Sequence, residues 1–187
     1  REQAYFGVAI QISAVSLLFT TAILRIFWKE VAEANENENY MRMRDLYYKV
    51  SKRLFFFGAF VAAGLMPWTS QILLLFLGKD YMAGAVTFSI MLIYPIHQSL
   101  GQITNIMFYA TSNTKTIMFV NGAFLLNGIG LTYLVLAPST MDFPGYNLGS
   151  FGLALKLVGL QLVFVNISSW LLSRKYNWPF LWSYQLK

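Results

Sequence analysis

Residues 148–172 read LGSFGLALKLVGLQLVFVNISSWLL, and the only charged side chain among them is that of Lys156. A helix of about 20 mostly apolar residues is long enough to cross the hydrocarbon core of a bilayer. Four other stretches have the same character, and they are residues 5–28, 54–77, 83–110 and 116–138. Lipid offers no hydrogen bonds, so a segment that crosses it must satisfy its own backbone, as a helix does. The sequence therefore predicts an all-α, polytopic transmembrane helix bundle with about five spans.

The composition points the same way. Of the 187 residues, 57% are hydrophobic and only 12% are charged, whereas a soluble domain has about 25% charged residues. A net charge of +6 would suggest nucleic acid as a partner of a soluble protein, but here the basic residues flank the apolar stretches. We therefore predict the lipid bilayer, and no nucleic acid, as a partner. The sequence contains no cysteine, which excludes disulfides and cysteine-bound zinc, and we predict no cofactor.

The basic residues are distributed unequally between the two sides of the membrane. Nine of them lie on one side, in the connector 29–53, at Lys115 and at Arg174 and Lys175, whereas Lys79 lies on the other. Because Lys and Arg collect in cytoplasmic loops, this bias sets the orientation of the spans. The sequence predicts a multi-pass protein of the cell (cytoplasmic) membrane with the connector 29–53 on the cytoplasmic side.

The connector 29–53 also carries a helical pattern. Tyr40, Met43, Tyr47 and Val50 recur at spacings of three and four, with basic residues between them. This spacing predicts an amphipathic helix lying in the membrane interface. The alternative is a connector that only guides the packing of the spans on either side of it.

The third predicted span has the richest set of polar groups. His97, Gly101 and Asn105 are four residues apart, and Gln98 and Gln102 lie on the adjoining strip. A carboxamide that faces lipid costs about 1 kcal/mol or more, so this stripe is expected to face protein or a cavity. Two interpretations stay open: hydrogen bonds between helices, or the lining of a cavity. A proton relay through His97 is a weaker hypothesis, because its span contains no acidic partner.

Two cations complete the set of candidates. Arg25 lies near the cytoplasmic end of the first span, and Lys156 lies inside the fifth. Either side chain can reach the headgroups by snorkelling, or it can face a hydrated cavity and bind an anionic ligand. The predicted substrate-binding residues are Arg25, His97, Gln98, Gln102, Asn105 and Lys156. The sequence contains no set of acid, base and nucleophile and no metal-ligand cluster, and we predict no catalytic or metal-binding residue.

Several short motifs follow one another in a recognisable order. Residues 25–29 read RIFWK, and the charged connector follows. Pro67 and Trp68 then interrupt the second span, residues 72–81 read ILLLFLGKDY, and residues 110–115 read ATSNTK after the third span. This order resembles that of the oligosaccharide flippases of the polysaccharide-biosynthesis family, the Wzx-like branch of the multidrug/oligosaccharidyl-lipid/polysaccharide exporter superfamily. The turn at residues 76–81 departs from the Phe-Gly-x-x-Tyr pattern of this family, because Leu77 separates Phe76 from Gly78.

The resemblance implies an architecture and an activity. Residues 1–187 would be a single, partial transmembrane domain, corresponding to most of one six-helix lobe, the C-terminal one, of a two-lobed transporter. The rest of the same chain, with its N-terminal lobe, would be a partner. The substrate would be a lipid-linked oligosaccharide with an anionic pyrophosphate head, moved by alternating access. The protein would be no enzyme.

Two alternatives lead to different chemistry. A multidrug or cation exporter of the same superfamily would need acidic side chains in its cavity, whereas the ionisable candidates here are basic. A membrane enzyme of envelope glycan assembly would carry its chemistry in a large extracytoplasmic loop, whereas the loops here are short.

Overall fold

The computed structural model describes residues 1–180 and 183–185, and every regular element within those residues is helical. Eight α-helices follow one another: α1 (Glu2–Ala14), α2 (Leu17–Glu36), α3 (Tyr40–Leu65), α4 (Thr69–Leu77), α5 (Ala85–Met91), α6 (Tyr94–Ala110), α7 (Thr114–Leu136) and α8 (Gly149–Tyr176). Short 3-10 turns lie at Met66–Trp68, Lys79–Gly84 and Ser183–Gln185. The prediction of an all-α bundle is confirmed.

The number of spans differs from the prediction. Three stretches of the described chain are long and apolar enough to cross a membrane, namely Tyr40–Leu77, Thr114–Leu136 and Gly149–Tyr176. They identify a membrane protein. The count is therefore fewer than the predicted five, because non-helical turns at 15–16 and 92–93 interrupt segments 5–28 and 83–110.

Pro95 explains the division of segment 83–110. A proline has no N–H to donate, and its ring clashes with the carbonyl four residues earlier. That carbonyl belongs to Met91, the last residue of α5, and Pro95 lies in the first turn of α6. Apolar character continues across Leu92 and Ile93, so hydropathy alone could not reveal the break.

Segment 5–28 divides at Val15 and Ser16. Here the backbone bonds tighten to a spacing of three residues, with the N–H of Val15 donating to Ile12 at 3.2 Å. The Ser16 hydroxyl donates to the carbonyl of Ser13 at 2.8 Å, and such local side-chain bonds compete with the helical ladder. The second half of α2 enters the charged connector, which leaves α2 too polar to qualify as a span.

The connector 29–53 is a helical hairpin. α2 ends at Glu36, and the Asn39 side chain caps α3 by accepting from the N–H of Arg42 at 3.0 Å. Arg42 also forms ion pairs with Glu30 at 2.6 Å and with Glu33 at 3.3 Å. α3 then continues without interruption to Leu65. The interface helix predicted around residues 40–50 is therefore the first part of a longer helix.

Helix α6 lies at the centre of the bundle and packs against α2, α3 and α8. One apolar cluster forms near the charged connector, around the fully buried Ile103 and Met107 of α6. A second cluster forms at the opposite end of the bundle, around Phe88 and Met91 of α5. The outward faces are also apolar: Phe60, Leu75 and Phe119 are 79%, 80% and 80% exposed. Such surfaces are typical of helices surrounded by lipid or by further transmembrane helices.

Buried hydroxyl groups join the helices in pairs. Tyr47 of α3 meets Thr104 of α6 at 3.1 Å and donates to Ser169 of α8 at 2.9 Å. Thr20 of α2 lies 3.0 Å from Ser99 of α6. Each contact satisfies polar groups that would otherwise face apolar surroundings.

A carboxylate from the start of the chain caps α8. The Glu2 side chain, which lies outside the three candidate spans, accepts from the backbone N–H of Ser150 at 2.9 Å and from its hydroxyl at 2.5 Å. These bonds lower the pKa of the Glu2 carboxyl. A negative charge at this position also complements the positive end of the helix dipole.

Glu2→Gln is expected to lower the stability of the purified protein by about 1 kcal/mol at pH 7, because α8 loses a charged cap. The folded-state pKa of Glu2 lies below the unfolded value of about 4.3. The stabilisation is therefore fully present above that value and is lost as the pH falls through the lower, folded value. Thermal unfolding in detergent from pH 7 downward measures the effect.

The control for this experiment is Glu36→Gln, which removes the same charge at an exposed position outside the three ion pairs of the described residues. We expect it to leave the melting temperature unchanged. Equal losses in the two variants, or a Glu2 effect independent of pH, would contradict the capping role.

Candidate functional site

Five carboxamide side chains meet in one cavity between α6, α7 and α8. They are Gln98, Gln102 and Asn105 of α6, Asn121 of α7 and Gln161 of α8. The cavity has a volume of about 320 Å³, within the range of about 300–1,000 Å³ that is typical of small-molecule sites. Phe124 and Phe164 pack edge to face at 5.2 Å and form an apolar wall. We call this space the carboxamide cavity.

Two of the carboxamides have an unused acceptor. The Oε1 atom of Gln102 and the Oδ1 atom of Asn105 are buried, yet neither accepts a hydrogen bond within the described residues. Gln98 differs, because its Oε1 accepts from the Tyr94 hydroxyl at 3.1 Å. A buried acceptor without a donor costs about 1–3 kcal/mol. These oxygens are therefore suited to a donor that enters the cavity, either water or a ligand.

Gly101 allows α8 to approach α6 beside this cavity. A Cβ atom on Gly101 would lie 2.8 Å from Nε2 of Gln161, 3.3 Å from Val165 and 3.5 Å from Phe164. The absence of a side chain at Gly101 thus places the Gln161 carboxamide against the polar face of α6.

His97 lies outside the carboxamide cavity, contrary to the expectation of one continuous stripe. Its side chain is 6% exposed and lines a separate cavity of about 580 Å³, together with Phe55 and Asn166. Its Nδ1 atom has no partner within residues 1–180 and 183–185. The reason is geometric: α8 packs onto the strip of α6 that contains Gly101, and it separates His97 from the carboxamides.

Lys156 lies in a third place. Its ammonium group donates to the hydroxyl of Thr132 at 2.8 Å, across the contact between α7 and α8. The surrounding surface is apolar, and it contains Leu131 and Leu155. Thr132 in turn donates to the carbonyl of Gly128 at 2.6 Å.

Arg25 is exposed on α2. It forms no ion pair within the part of the chain that the structure describes. Arg25, His97 and Lys156 therefore share no concave surface here. The structure brings together only Gln98, Gln102 and Asn105 of the six candidates, and substrate binding by all six stays a prediction.

Sequence reasoning missed two members of the cavity. Asn121 and Gln161 line the cavity, and neither is among the predicted substrate-binding residues. A signal was present, because Gln161 is a carboxamide in the middle of an apolar stretch. Gln161 and Lys156 lie at different angular positions around α8. Only the packing of the helices shows that Gln161, and not Lys156, faces α6.

Comparisons with known proteins add no further constraint. No family model matches the chain, and neither the curated proteins nor the solved structures contain a significant match. The family resemblance of the sequence motifs thus stays a prediction.

Gly101→Leu is expected to destabilise the protein by about 1–3 kcal/mol, because the added atoms overlap Gln161, Val165 and Phe164. The matched control is Gly130→Leu on α7, where a Cβ would meet nothing within 4 Å. Thermal unfolding in detergent compares the two. Equal melting temperatures for the two variants would contradict the close approach of α8 to α6.

Proposed function

We propose that this chain forms most of one lobe of a membrane transporter that moves a lipid-linked oligosaccharide across the cytoplasmic membrane by alternating access. The observation that carries the proposal is the carboxamide cavity, an open hydrogen-bonding site between three helices of an apolar bundle. The resemblance of the sequence motifs to oligosaccharide flippases supports the same class of substrate. The apolar outward faces suit a lobe that meets lipid and a second lobe.

The chemistry of the cavity favours sugars. Each carboxamide offers two N–H donors and a carbonyl acceptor, and a sugar hydroxyl both donates and accepts. The free acceptors of Gln102 and Asn105 can receive hydroxyl hydrogens. The Phe124 and Phe164 rings offer an apolar wall for the C–H faces of a pyranose ring. Such a combination binds neutral, hydroxyl-rich groups in preference to ions.

The kind of side chain that lines the cavity changes the expectation that these residues bind the anionic pyrophosphate. No charged side chain lines the carboxamide cavity in the described residues. The carboxamides are therefore assigned to the sugar units, and the anionic pyrophosphate is assigned to cations elsewhere in the full-length protein. The lack of a lining carboxylate in this part of the chain also makes a cation exporter the less favoured alternative.

The double variant Gln102→Leu/Asn105→Leu tests the proposal. We expect the flux of lipid-linked oligosaccharide to fall about tenfold, because two hydrogen bonds of about 0.5–1.5 kcal/mol each are lost to the substrate. Stability is expected to stay equal or to rise, since these oxygens accept no bond from the described residues and a buried acceptor without a donor is destabilising. The measurement is translocation of a fluorescent lipid-linked oligosaccharide by full-length protein in proteoliposomes.

The matched control is Asn127→Leu, which replaces an exposed carboxamide of α7 that lies outside the cavity. Its flux should equal that of the wild type. Wild-type flux in the well-folded double variant would show that the carboxamide cavity does not contact the translocated substrate.

A further inference from the structure

A second surface, on the opposite side of α8 from α6, combines one cation with an apolar groove. We call it the α7/α8 groove, and it is lined by Leu131 and Val135 of α7 and by Leu155, Lys156, Gly159 and Val163 of α8. Its volume is about 430 Å³. Lys156 is the one charged residue of its lining in the described residues.

The ammonium group of Lys156 is only partly satisfied. It donates one hydrogen bond, to Thr132, and the other two N–H groups of an ammonium need acceptors as well. None of the ion pairs of the described chain includes Lys156. The groove therefore offers a positive charge and free donors to a ligand with anionic oxygens.

The depth of Lys156 suits a lipid headgroup. It precedes Arg174, near the end of α8, by 18 residues, which corresponds to about 27 Å along a helix that rises 1.5 Å per residue. The hydrocarbon core is about 30 Å thick. With Arg174 and Lys175 at one headgroup layer, Lys156 reaches the other, in the leaflet opposite the charged connector.

The groove continues from Lys156 toward the middle of the membrane. Gly159 and Val163 follow Lys156 by one and two turns of α8, on the path that an acyl chain takes below its headgroup. A Cβ atom on Gly159 would meet nothing within 4 Å, so the floor at this point is open. The direction from cation to apolar floor therefore matches the direction from phosphate to acyl chain.

We propose that the α7/α8 groove binds an anionic phospholipid, with its phosphate on Lys156 and one acyl chain along Gly159 and Val163. The site is separate from the carboxamide cavity, and the inference does not depend on the transported substrate. Its role is to fix the contact between α7 and α8 at the membrane surface.

The test is native mass spectrometry of the full-length protein in detergent, with phosphatidylglycerol and with phosphatidylcholine of the same acyl chains. We expect wild-type protein to bind phosphatidylglycerol about fivefold more tightly than phosphatidylcholine, which is the preference that one cation at the membrane interface supplies. Lys156→Gln should abolish this preference. The matched control is Lys79→Gln. Lys79 lies at the same end of the bundle as Lys156, next to Asp80, whose carbonyl accepts a hydrogen bond from the Tyr5 hydroxyl. This variant should keep the preference for phosphatidylglycerol.

A steric variant tests the acyl chain separately from the charge. Gly159→Leu fills the open floor, and we expect it to weaken binding of phosphatidylglycerol about fivefold while the protein stays folded. Gly130→Leu serves as its control. Glycerol phosphate, which has no acyl chain, should not displace bound phosphatidylglycerol.

Three results would overturn the proposal. One is equal binding of the two lipids by wild-type protein. Another is a preference that survives Lys156→Gln. The third is a dimer that Lys156→Gln dissociates without a change in lipid preference, which would assign the groove to a second copy of the chain.

Discussion

The contact between α6 and α8 at Gly101 organises the polar chemistry of this bundle. Because Gly101 has no side chain, Val165 and Phe164 of α8 pack so close that a Cβ atom on Gly101 would lie 3.3 Å and 3.5 Å from them. This approach places Gln161 beside the carboxamides of α6 and closes one wall of their cavity. It also separates His97 from them, so that one polar stripe in the sequence becomes two sites in the fold.

Two groups of polar side chains inside the bundle differ in how they are satisfied. Buried hydroxyls pair across helices, as Tyr47 does with Thr104 and Ser169, and these pairs hold the bundle together. The carbonyl oxygens of Gln102 and Asn105 are buried without a donor in the described residues. An unpaired acceptor lowers stability, so these two oxygens are suited to a donor that enters the cavity, either water or a ligand.

The sequence predicts the helical class and most of the polar face, and it fails where the outcome depends on packing or on local backbone geometry. Long apolar stretches identify α7 and α8 directly, because length and hydropathy suffice for a helix in lipid. The same criterion cannot detect the breaks before Pro95 and at Ser16, since apolar residues continue through both. Gln98 and Asn105 were found from their spacing. Gln161 was not, because a helix wheel does not reveal which face meets α6.

The central claim is that the carboxamide face of α6 borders a hydrated cavity, and the accessibility of substituted cysteines to a water-soluble thiol reagent tests it most directly. Residues 1–187 contain no cysteine, so within them each single variant reports one position. Gln98→Cys, Gln102→Cys and Asn105→Cys should react in intact membranes, whereas Phe119→Cys, on an outward apolar face, should not. Protection of all three α6 positions to the level of Phe119→Cys would contradict the account.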